Sequence, residues 1–123
     1  MRLGISPTGS GREAALALAG AALAGGVEVL WLGDGFLASA DFPGWAGGME
    51  SLTELAWLAG RFPAAAVGVT AAVLPNRSML ELARQANTLA HVTGGRFTLA
   101  VSPGFWDREL EHLGHDPADR GRL

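Results

Sequence analysis

Four β/α units on a parallel sheet, half of an eight-stranded barrel, form the α/β fold class that the sequence predicts. Three observations carry that expectation. Four short runs, at 2–6, 27–32, 66–71 and 97–102, are apolar on both faces, the pattern of strands buried inside a parallel sheet. Helix-length stretches separate them, and three of these open with a serine followed three residues later by a glutamate: Ser10 and Glu13, Ser51 and Glu54, Ser78 and Glu81. At that spacing the two side chains satisfy the free N–H groups of a first helical turn. Finally, the order β-α-β-loop-α-β-α-β suits right-handed crossovers, and a complete barrel takes about 250 residues where this chain has 123.

Each element has its own justification. The first strand ends at Ser6-Pro7-Thr8-Gly9, and the helix after it stops at Gly25-Gly26. The second strand runs through Trp31, expected in the core, to Gly33-Asp34-Gly35. After a loop, the helix over 52–62 carries Leu52, Leu55, Ala56, Ala59 and Phe62 on one stripe. Trp57 and Leu58 lie off that stripe, so a second apolar face is expected to need a second cover. The third strand ends at Thr70-Ala71-Ala72. The helix over 78–92 has a clean stripe of Met79, Leu82, Ala83, Ala86, Leu89 and Ala90, opposite Glu81, Arg84, Gln85, Asn87, Thr88 and His91. Gly94-Gly95 end it, the fourth strand leads to Ser102-Pro103-Gly104, and the remainder reads as a connecting segment and a polar end.

Composition removes several chemistries. With 49% apolar residues, 18 Gly and 6 Pro, the chain is expected to fold as a single domain over 1–123. There is no Cys, hence no disulfide, thiolate nucleophile or Cys-ligated zinc, and no Lys, hence no Schiff base and no Walker P-loop. Nine scattered arginines at a net charge of −3 make no stripe for nucleic acid. The longest uncharged run, 14–27, is Gly-broken and shorter than the roughly 18 residues a bilayer needs, so a cytoplasmic protein without membrane contact is expected.

In parallel α/β folds the working face lies at the carboxyl ends of the strands. All four ends here combine small residues with a hydroxyl or a carboxylate, which suits a flat or phosphorylated ligand and equally suits plain turns. Asp34 is the carboxylate directly at a strand end; tuning a proton transfer, holding a ribose and forming a turn are all open to it. Gly9-Ser10-Gly11-Arg12-Glu13-Ala14 fits G-x-G-x-x-A with Asp34 twenty residues on, a dinucleotide fingerprint through Gly9, Gly11 and Ala14. Three residues separate the strand from Gly9, where that fingerprint wants an immediate turn. His112 and His115 beside Asp116 read as surface residues, so no metal is expected. Glu109 and Glu111 read as solvated, and Trp45 and Trp106 as loop residues able to wall a pocket.

The second half carries a resemblance. Thr70-Ala71-Ala72-Val73-Leu74-Pro75, Ala83-Arg84-Gln85-Ala86-Asn87-Thr88-Leu89, Gly94-Gly95-Arg96-Phe97 and Ala100-Val101-Ser102-Pro103-Gly104-Phe105-Trp106 resemble the bacterial luciferase-like monooxygenases. Gly25 to Asp34 and Leu113-Gly114…Asp119-Arg120-Gly121 extend the match over nearly the whole chain. The resemblance implies the first half of a TIM barrel that binds FMN or an 8-hydroxy-5-deazaflavin coenzyme and acts on a small-molecule substrate. It implies dimers through the second and third helices, and a non-proline cis peptide near Ala71-Ala72. It places Leu32, Asp34, Thr70, Ala71, Ala72, Ser102 and Phe105 at the cofactor, with Asp34 at the reactive ring as the catalytic position. Many members put a histidine at or beside that acid; here Gly35 follows. Only half a barrel is matched, so the 123 residues are expected to lack activity alone. The other readings are a non-catalytic half-barrel that self-associates and the dinucleotide module.

Overall fold

The computed structural model describes residues 2–9, 11–35, 37 and 49–122. Ser10, and with it the first serine–glutamate pair, lies outside the described residues, as does Trp45. Four strands, β1 (Gly4–Ile5), β2 (Val29–Leu32), β3 (Ala66–Val73) and β4 (Phe97–Ser102), form one sheet in the order β1-β2-β3-β4. Every neighbouring pair is parallel. Helices α1 (Arg12–Ala24), α2 (Ser51–Arg61) and α3 (Met79–Val92) alternate with them. Sequential parallel pairing with intervening helices is the arrangement of consecutive units in a β/α barrel. The segment read as a connection contains a short helix, α4 (Asp107–His112), and the end of the chain winds into a 3-10 turn over Pro117–Arg122.

One side of the sheet packs on the helices. Leu30, Leu32, Val67, Val69 and Ala72 join Leu52, Leu55 and Leu58 of α2, Ala19 of α1, and Leu82 and Leu89 of α3 in a single core. Strand alternation sends Trp31 to the opposite side. Its indole lies across Gly4 of β1 and Gly68 of β3, where a Cβ on either glycine would overlap the ring. Trp31 is therefore half-buried on the inner face and does not enter the helix-side core. β4 departs from the both-faces-buried expectation: Val101, beside Ala72, is 52% exposed and Leu99, beside Val69, is exposed as well, so among the described residues the helix layer that covers β3 does not extend over them.

Two helix expectations change. At α2 the cap is Glu50, whose carboxylate accepts the N–H groups of Leu52 (3.2 Å) and Thr53 (2.7 Å). The Ser51–Glu54 box does not form: Ser51 is the first helical residue and is fully buried, its hydroxyl committed elsewhere. The α2 stripe is also rotated from the expected one. Leu58 is completely buried, Trp57 packs against the core, and Ala56 is exposed, so the anticipated second apolar face dissolves. At α3 the Ser78 cap stands, accepting the Glu81 N–H at 3.5 Å, though only Leu82 and Leu89 of its stripe are fully buried. Among the described residues, no helix is long and apolar enough to cross a membrane.

Candidate functional site

The carboxyl ends of β2, β3 and β4 converge on a cavity of about 460 Å³, within the range of about 300–1,000 Å³ usual for small-molecule sites. Its walls are Gly33, Asp34 and Gly35 from β2, Thr70, Ala71 and Val73 from β3, Ser102 at the end of β4, then Phe105, Trp106 and Glu109. β3 is irregular where it meets the cavity. Val69 pairs with Leu99 and Ala72 with Val101, three steps on one strand against two on the other. The extra residue makes a bulge, a device that re-aims a strand at a site. Within it the Thr70–Ala71 peptide bond is cis, one bond ahead of the expected position.

Side-chain hydrogen bonds fasten the strand ends to one another. Thr8 Oγ1 accepts the Gly33 N–H at 2.8 Å, and Ser6 Oγ lies 2.6 Å from it, joining the end of β1 to that of β2. Asp34 is the hub of the next link. Its side chain is 4% exposed, and its carboxylate accepts the Ser51 hydroxyl (2.6 Å) and the Val73 N–H (2.8 Å). Arg77 donates to both carboxylate oxygens, through Nε at 3.2 Å and through Nη2. The same guanidinium donates to Ser51 Oγ at 3.1 Å and pairs with Glu50 at 2.7 Å. Burial works against the Arg77 charge, but Asp34 and then Glu50 outweigh it and raise its pKa above the ordinary arginine value. Burial likewise opposes ionisation of Glu50, yet donors from Thr53, Arg77 and Leu52 hold it below the usual glutamate range.

The loop after β4 is held by the end of the chain. Arg120 donates to the carbonyls of Phe105 (3.0 Å) and Gly104 (3.3 Å) and pairs with Asp107, so the 3-10 turn braces the segment bearing Phe105 and Trp106. Ser102 Oγ accepts the Gly104 N–H at 3.1 Å.

Of the residues expected at the site, Asp34, Thr70, Ala71, Ser102 and Phe105 meet at this cavity. Leu32 and Ala72 do not line it: both are buried in the helix-side core, because alternation turns them away from the inner face. Glu109, expected in solvent, is 4% exposed and lines the cavity, since the unforeseen helix α4 points it inward. Arg77, Glu50 and Arg120 were not foreseen as site residues at all. His91 stands in the last turn of α3, and among the described residues no three His, Asp or Glu are grouped to hold a metal. At Gly9 the backbone φ is +77°, but β1 ends at Ile5, so no immediate strand-to-glycine turn is made.

Comparison with known proteins agrees with this geometry. The family model described as luciferase-like monooxygenase matches residues 2–123. The chain belongs to the luciferase-like monooxygenase family. It is 38% identical over 99 residues to the 4-hydroxyprotoasukamycin monooxygenase of Streptomyces nodosus subsp. asukaensis, an alignment covering 79% of this chain and 25% of that protein. The fold matches, at a TM-score of 0.75 and 15% identity, the FMN-complexed oxygenating constituent of 3,6-diketocamphane monooxygenase from Pseudomonas putida, a type II Baeyer-Villiger monooxygenase. That match covers 97% of this chain and 34% of the other. This luciferase-like chain thus spans about a quarter to a third of the relatives it matches.

Proposed function

We propose that this chain contributes the ring-facing wall of a flavin site in a luciferase-like oxidoreductase, with FMN or an 8-hydroxy-5-deazaflavin as cofactor and a small molecule as substrate. The observation that carries the reading is the cavity at three strand ends, backed by the Thr70–Ala71 bulge and floored by small residues. Gly33, Gly35 and Ala71 present little more than backbone there, which suits close approach of a flat ring system. The hydroxyls of Thr70 and Ser102 offer hydrogen bonds at its rim. Arg77 is engaged by Asp34 and Glu50, so the cavity fits a ring better than a phosphate.

A bound flavin supplies the redox chemistry, and the protein supplies binding, orientation and electrostatics. Phe105 and Trp106 wall one side of the cavity. Asp34, the expected catalytic position, has both oxygens engaged and braces the β2 and β3 ends, and Glu109 is a second carboxylate on the cavity wall. The open groove between α2 and α3, lined by Ala56, Gly60 and Val92 among others, supports a homo-oligomer contact. A cytoplasmic location is part of the same reading. The exposed β4 edge supports a second reading, a half-barrel that self-associates without catalysis.

A fluorescence titration of the folded chain with FMN and with a deazaflavin, NADPH serving as control, tests the proposal. Saturable flavin binding is the expected outcome. Failure of both flavins to bind a folded chain would leave the non-catalytic reading, and binding of NADPH alone would support the dinucleotide one.

A further inference from the structure

Arg77 is the most enclosed cation beside the cavity among the described ion pairs, its side chain 12% exposed. It sits one residue before the Ser78 cap of α3, and 43 residues separate it from Asp34. Four of its N–H directions are spent: Nε and Nη2 on Asp34, Nη2 also on Ser51, and Nη1 on Glu50. A guanidinium committed in this way cannot grip an anionic ligand, so its work is on the protein. Asp34 in turn takes the N–H of Val73, the cavity residue that closes the bulged end of β3. We infer that Arg77 is a positioning residue: by fixing the Asp34 carboxylate, it sets the Thr70–Val73 wall at its place against Gly33 and Gly35. The inference rests on the flavin reading for its effect on binding, and on the hydrogen-bond network alone for its effect on the wall.

The physical basis is the asymmetry of buried ion pairs. Deleting one partner leaves an uncompensated charge, whereas replacing both with neutral groups that still hydrogen-bond costs far less. The test therefore compares Arg77→Gln with the double variant Asp34→Asn/Arg77→Gln, using Arg61→Gln on the exposed end of α2 as control. Two readouts are taken on the full chain: hydrogen exchange of the Val73 amide, and the Kd for FMN. In folded Arg77→Gln, Val73 protection falls by roughly tenfold or more and the Kd for FMN rises by a similar factor, while Arg61→Gln matches wild type. The double variant recovers most of both. If Arg77→Gln does not fold but the double variant does, the uncompensated Asp34 charge is the cause and the inference stands.

A folded Arg77→Gln with wild-type Val73 protection overturns it. So does a double variant no better than the single, or the failure of both to fold. If wild type does not bind FMN while Val73 responds as stated, the flavin reading fails and the positioning role of Arg77 survives. If wild type binds FMN and Val73 does not respond, the reverse holds.

Discussion

Individual residues carry the geometry of the inner face and the pH response. Gly68 leaves the space that the Trp31 ring occupies, and a Cβ there would also come within 3.0 Å of the Thr98 carbonyl. Gly68→Ala is expected to destabilise the chain by about 1–3 kcal/mol, the usual cost of overpacking, as read by urea unfolding. Glu54 is almost fully buried on α2, and burial pushes its carboxyl above the usual glutamate range. A folded-state value above the unfolded one means that its stability contribution is complete at acid pH and is lost as pH rises through the folded value. Glu54→Gln should therefore raise Tm near pH 7 by a few degrees and lose that advantage toward about pH 4, where the unfolded carboxyl protonates.

At the level of elements, the beginning of α2 couples a cap to the site. Glu50 caps the helix and pairs with Arg77, while the adjacent Ser51 reaches Asp34. Loss of the cap in Glu50→Ala should cost about 1 kcal/mol at pH 7 by chemical unfolding. Because Glu50 is held below its usual range, the stability it contributes is present above the unfolded value and fades as pH falls through the folded one. The penalty of the substitution should shrink accordingly in acid. The strand order and the bounds of α3 were legible from apolar runs and one good cap, since periodicity and first-turn chemistry are local signals. The cap of α2 was not: serine at 51 and glutamate at 54 satisfy the local rule, and only the buried demand of Asp34, 17 residues away, draws Ser51 off it. The cavity's position at the strand ends was legible along with five of the residues expected at the cofactor and Trp106 as a wall. Arg77, Arg120 and the burial of Glu109 were not, because each depends on contacts between distant segments or on the short helix α4.

Over the molecule as a whole, the sheet is well covered by helices on one side and open along β4. Val101 and Leu99 are exposed on a strand that, among the described residues, pairs on one edge alone, and an unpaired edge is the feature by which strands recruit further strands. Light scattering of the isolated chain should show concentration-dependent association, and Val101→Lys should reduce it without altering the circular dichroism; unchanged association would locate the contact elsewhere. The packing of Trp31 has one more effect, on the optics of the protein. Its indole rests on the face turned away from the helices, held flat between two strands that carry no side chain beneath it. Anything that seals this face, whether further strands or another molecule, strips water from that ring and moves its emission to shorter wavelength. With Trp45, Trp57 and Trp106 replaced by phenylalanine, the colour of Trp31 becomes a built-in gauge of how far the barrel has closed.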